Sequence, residues 1–175
     1  MKINEFRFSE ARLSLKVLLS CFLIAVAVGY IFGLIHIYTD VGFSYTGVVS
    51  HYRGGKELSV PPDFAFAKLI HVHHVHLFGH AMLFLLVGSI FIFTELPEVW
   101  KAVFVAAPFV GMAVDFTSFW LLTFVSPVFA ALAMIFGAFM AFSFFMIIGR
   151  PLYEMWVLPV WGRVWKDGEI PWYLR

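Results

Sequence analysis

Charge is scarce in this chain: Asp, Glu, Lys and Arg make up 13% of its 175 residues, against about 25% in an ordinary soluble domain. That is too little to coat a water-facing surface, and with 62% hydrophobic residues lipid is the natural solvent. A net charge of +1 lacks the strongly basic balance that a nucleic-acid partner demands, so none is expected. Cysteine is nearly absent. Cys21 stands alone, which excludes an intrachain disulfide and the Cys-x-x-Cys-His attachment of a c-type haem.

Long apolar runs are what the chain does have. Four stretches, about 17–38, 64–94, 102–125 and 127–148, are long enough to cross about 30 Å of hydrocarbon at about 1.5 Å per residue. Leu18-Leu19-Ser20-Cys21 loosely resembles a lipoprotein cleavage box and Ala25-Val26-Ala27 a signal-peptidase site; the segment is expected to be an uncleaved first helix. Glu95-Leu96-Pro97-Glu98 and Ser126-Pro127 are short links, so the helices they join should be antiparallel neighbours. The expected fold is all-α: one transmembrane domain over 1–175, a four-helix bundle with a structured outer loop. The tail 150–175, with Trp156, Trp161, Trp165 and Trp172, should lie on the inner surface as an interfacial segment.

Basic residues set the orientation. Nine (Lys2, Arg7, Arg12, Lys16, Lys101, Arg150, Arg163, Lys166, Arg175) fall on the side of the termini and three (Arg53, Lys56, Lys68) on the other. The positive-inside rule then puts both termini in the cytoplasm, and the loop from Thr39 to Asp63 on the periplasmic face of a bacterial inner membrane.

All seven histidines, His36, His51, His71, His73, His74, His76 and His80, lie between positions 36 and 80. Ionisable groups inside a membrane point to function by default. At 100° per residue His73, His76 and His80 share a helix face within about 60°, while His71 and His74 point to another side. His80 and Asp115 should sit at one depth, since each is 14 residues from a membrane boundary at Thr94 or Lys101. Asp115 also shares a stripe with Ala107, Gly111 and Ser118, which should turn it into the bundle. Gly29, Gly33 and His36 lie on one face of the first helix, either for close packing or to leave room for a flat macrocycle. His36 is expected level with His73 to His76.

Four readings compete. A b-type haem needs one or two axial imidazoles and an apolar slot, and it leads for that economy; His36 and His76 are its preferred ligands, His73 and His80 the next, with Arg53, Lys56 and Lys68 placed to hold propionates. A copper, zinc or non-haem iron ion could be held by His73, His76, His80 and Asp115, with His36, His71 and His74 in reserve. A proton or quinone site would use His and Asp titration with Tyr38, Tyr45 or Tyr52 as donors. An accessory subunit would pack its histidines against a larger complex, and stripes such as Ala133, Gly137 and Ala141 would serve contacts within or between chains. His51 could belong to a lid, meet a periplasmic partner or simply be solvated.

In helix number and in histidines on facing helices, the chain is similar to the small four-helix b-type cytochromes that anchor membrane oxidoreductases. That resemblance implies electron exchange between a quinone pool and a membrane or periplasmic redox subunit; the sequence leaves a homo- or hetero-oligomer open.

Overall fold

Hydrocarbon offers the backbone no water, so an apolar segment must satisfy its N–H and C=O groups within itself. The computed structural model describes residues 6–53 and 62–159 and meets this demand with long helices: α1 Leu13–Asp40, α3 Pro62–Phe91, α4 Glu98–Phe124 and α5 Phe129–Leu152, with the short α2 Tyr45–Arg53 between the first two. The four long ones are of a length and composition to cross a membrane. No strand occurs among the described residues. The chain is an all-α, multi-pass membrane protein whose spans face lipid.

Three spans lie within a few residues of their expected bounds. The fourth runs further. α5 continues through Pro151 into a π-helical turn, Tyr153–Val157, where a surface tail was expected from Arg150. Proline removes one helical hydrogen bond, and the wider turn restores pairing when Leu158 N–H returns to Tyr153 O. Burial explains why the chain stays in the bundle: Glu154 and Met155 are each 1% exposed. Lys16 Nζ donates to Ser9 O (2.8 Å) and Met155 O (3.2 Å), and Trp156 Nε1 donates to Ser20 Oγ at 2.8 Å. Both ends of the described chain therefore meet at one end of the bundle. Lys2, the tail beyond residue 159 and loop residues 54–61, Lys56 included, lie outside the described residues.

α4 and α5 form the tightest pair, α3 packs on both, and α1 leans chiefly on α5. The first contact depends on small residues. A Cβ added at Gly111 would stand 3.0 Å from Met140 Cβ and 3.2 Å from its Cα, so the two backbones approach as only glycine allows. Gly111→Val is expected to overpack this seam and lower stability by about 1–3 kcal/mol, read as an earlier midpoint in detergent-induced unfolding; an unchanged midpoint would contradict the packing described. The core beneath holds Phe84, Val87, Phe91, Phe144 and Ile147. By contrast α1 buries only Ser20 and Leu23, and from Ile31 to Asp40 its residues are exposed except the half-buried Leu34.

At the opposite end from the termini, α2 lies over the α4–α5 hairpin. The chain turns out of α1 at Gly42, whose φ of 76° is a left-handed value that favours glycine; its N–H returns to Ile37 O and Tyr38 O, both at 3.1 Å, and closes the helix end. Ser44 Oγ then accepts from Gly47 N–H at 3.1 Å, the N-cap that starts α2. Tyr45 Oη donates to Pro127 O (3.0 Å) and Arg53 Nη1 to Leu122 O (2.8 Å), while Val48 packs on Leu122 and Ala130. The outer loop is thus a structured cap over its described length, as its glycine and aromatic content suggested.

Candidate functional site

The long α3 carries five histidines, and packing divides them. His71 is exposed and makes no hydrogen bond or ring contact among the described residues. His74 meets only Phe78 of its own helix, ring centres 5.3 Å apart. His73 and His80 turn toward α4, where both contact Phe116, at 4.5 and 6.4 Å. His76 stays exposed but stacks on His80, with centroids 5.3 Å apart and planes 22° from parallel. The expected split of the histidines into two faces is therefore present.

Their ring nitrogens are not equivalent. Trp120 Nε1 lies 2.8 Å from His73 Nδ1. An indole nitrogen only donates, so His73 Nδ1 accepts and the neutral ring keeps its proton on Nε2. A neutral His73 cannot hold this bond and also ligate a metal through Nε2. His80 is arranged the other way. Its Nδ1 lies 2.9 Å from His76 O, and a carbonyl only accepts, so Nδ1 carries the proton and Nε2 presents a lone pair. A histidine whose second nitrogen donates to a carbonyl is oriented and made more basic as a ligand. Phe84 (5.5 Å) and Phe116 flank that ring.

His36 lies on the exposed stretch of α1 past Tyr30. Its Nε2 is 3.9 Å from Asp40 Oδ2 and its side chain is 76% exposed; no hydrogen bond or ring contact joins it to α3. Depth is measurable through Phe144 of α5, which stacks on Tyr30 of α1 at 4.4 Å and meets Phe84 of α3 at 6.0 Å. His36 is six residues beyond Tyr30, about 9 Å at the helical rise, while His80 and His76 are about 6 and 12 Å beyond Phe84. His36 is therefore level with the interval between His76 and His80, deeper than the level of His73. Added Cβ atoms at Gly29 and Gly33 of α1 and at Gly79 of α3 would each have nothing within 4 Å.

Asp115 has the depth expected of it and a different neighbour. Phe116, the next residue, touches His80, but the Asp115 carboxylate points at α5, where a Cβ on Gly137 would stand 3.5 Å from Oδ1. Ala107, Gly111 and Ser118 are buried beside it on the same stripe. Among the described residues no three His, Cys, Asp or Glu side chains gather as a metal-holding group, so His73, His76, His80 and Asp115 do not converge here. Trp120 as a partner of His73 had no signal in periodicity, because its position depends on how α4 is rotated against α3.

The cations near α2 are engaged. Arg53 closes the carbonyl end of α4 through Leu122 O. Lys68 Nζ donates to His51 Nε2 at 3.0 Å, and the His51 ring meets Tyr52 at 5.0 Å. Tyr52 in turn lies on Phe119, ring centres 4.5 Å apart; burial pushes its phenol up to about 12. It remains a hydrogen-bond donor at any physiological pH. Burial and then the Lys68 ammonium push His51 below its ordinary value, with Asp40 opposing them.

The sign for His51 follows from linkage. The docked ring resists a proton that the undocked ring accepts below about pH 6.5, so the undocked state binds more protons and docking of α2 weakens as pH falls from there. Protection factors of the α2 amides, with the intrinsic exchange rate at each pH divided out, should fall on acidification through this range, and His51→Gln should flatten the dependence. Equal protection factors at both ends of the range would contradict the assigned contact.

Compared with known proteins, residues 42–159 match the model of the Aq_1264_TM family, described as a transmembrane helical domain. That segment, more than half of the chain, takes in α2 to α5 and the whole α3 histidine run. No curated protein and no solved structure matches.

Proposed function

We propose, from the premise that this chain belongs to the Aq_1264_TM family of transmembrane helical domains, that it is a membrane redox subunit. It would hold a b-type haem in the half of the bilayer nearer α2 and pass electrons between a quinone pool and a partner subunit. The observation that carries the reading is the 2.9 Å hydrogen bond from His80 Nδ1 to His76 O, which leaves Nε2 as an oriented lone pair at hydrocarbon depth. Imidazole in a dry bundle is an established axial ligand for haem, and a polar group this deep in a span calls for a partner.

His80 would be one ligand of the haem. His76 would not be the second, because its ring stacks on His80 from the same helix. His36 would be the second, since its depth falls between His76 and His80. The uncrowded glycines Gly29, Gly33 and Gly79 would leave room for the haem, with Phe84 and Phe116 keeping water from the ligand nitrogen. The haem, when bound, would supply a one-electron couple. The His76 carbonyl would hold the His80 tautomer and favour the oxidised state by making the imidazole more electron-rich. From the nine-to-three distribution of basic residues, the site would face the periplasm and both termini the cytoplasm.

A visible spectrum of the purified protein tests the reading. A Soret band, with sharp α and β bands on reduction, is the expected result. A featureless spectrum with no extractable haem overturns it: stoichiometric copper, zinc or iron would then indicate a metal-binding protein, and no cofactor of either kind an accessory subunit.

A further inference from the structure

Six polar side chains are buried among the described residues: Ser20, Thr94, Asp115, Ser118, Ser143 and Glu154. Five are satisfied. Ser20 accepts from Trp156, and Thr94, Ser118 and Ser143 donate to backbone carbonyls of their own turns. Glu154 accepts from Arg150 and from Glu95 N–H. Asp115, 7% exposed, makes no hydrogen bond and no ion pair among the described residues. It sits nine residues, about 13 Å, below the α2 end of α4, in the seam that brings α4 against α5.

No described residue around it supplies a counter-charge. The α5 span opposite, 129–149, has no ionisable side chain. On α3, His73 and His80 turn to Phe116 instead. Tyr30 of α1 and Tyr52 of α2 are the titratable groups within reach of its charge, and neither brings a cation. Arg53 is turned to Leu122 O and Lys68 to His51. An ionised carboxylate without a partner is strongly disfavoured in such surroundings, whereas a neutral carboxylic acid is tolerated. What little exposure Asp115 has includes its carboxyl oxygens, and the nearer aqueous face is the α2 end, nine residues of α4 away against seventeen to Glu98.

We infer that Asp115 is an exchangeable proton site: a carboxylic acid held in the α4–α5 seam opposite Gly137, trading its proton with the aqueous phase at the α2 end. This site is separate from the haem reading and does not depend on it.

The test is labelling by dicyclohexylcarbodiimide, an apolar reagent that adds a protonated carboxyl group across its N=C bond and retains every atom as an acylurea. The protein is reconstituted in liposomes and the adduct is located by peptide mass spectrometry on the wild-type chain, so the result survives if Asp115→Asn fails to fold. The expected outcome is an adduct on Asp115, formed at a rate that falls by about tenfold per pH unit once the group titrates. Glu154, held by Arg150, and exposed Glu98 should remain unmodified. An adduct missing from Asp115, or a rate indifferent to pH, overturns the inference. Protection by sodium ion at constant pH also overturns it, in favour of a metal cation as the ligand.

Discussion

If the proposed haem is held, replacing His80 by Ala is expected to lower the Soret absorbance per chain by about an order of magnitude or more, while His76→Ala retains most of it. The contrast separates two roles within one turn of α3. His80 offers the lone pair, whereas His76 acts through its backbone carbonyl, which alanine supplies equally well. The ring stacking of His76 on His80 would be lost, so a small shift of the reduced bands is expected without loss of the cofactor. His36→Ala should leave one axial position open, seen as a high-spin spectrum that responds to added imidazole. Full haem occupancy in His80→Ala would remove this ligand assignment. Loss in His76→Ala with retention in His80→Ala would exchange the two.

The largest stability effect is expected at the other end of the molecule. Glu154 is 1% exposed and its carboxylate accepts from Arg150 Nε at 2.7 Å and from Glu95 N–H at 2.9 and 3.0 Å. One side chain thus joins the end of α5 to the link between α3 and α4. Removing one partner of a buried ion pair costs about 3–5 kcal/mol; Arg150 is 30% exposed on its side chain and water would relieve part of the loss, so Glu154→Ala should cost about 3 kcal/mol. Glu154→Gln, which keeps an acceptor for Glu95 N–H, should cost roughly half as much. Detergent-induced unfolding would read both, and a midpoint unchanged in Glu154→Ala would show that the carboxylate joins nothing. Because Lys16 binds the neighbouring Met155 carbonyl, the N-terminal turn should loosen in the same variant.

The four spans, the short links and the level shared by His80 and Asp115 could be read from the chain alone. They depend on composition and on the rise along one helix, and both are local. The small-residue stripe around Asp115 likewise pointed into the bundle before any neighbour was known. Tertiary packing decided which neighbour. Rotation of α4 put Phe116 and Trp120 against the histidines and turned Asp115 to Gly137, and no spacing within α4 or α3 encodes the angle between them. The same holds for α1, which leans on α5 and leaves α3 open, and for Glu154, whose partners lie four and 59 residues away. Hydrogen-bond direction was the last thing to emerge: that His73 accepts and His80 donates follows only once a tryptophan and a carbonyl stand beside them. Periodicity names the residues on a face; the contact across that face determines the chemistry left to each.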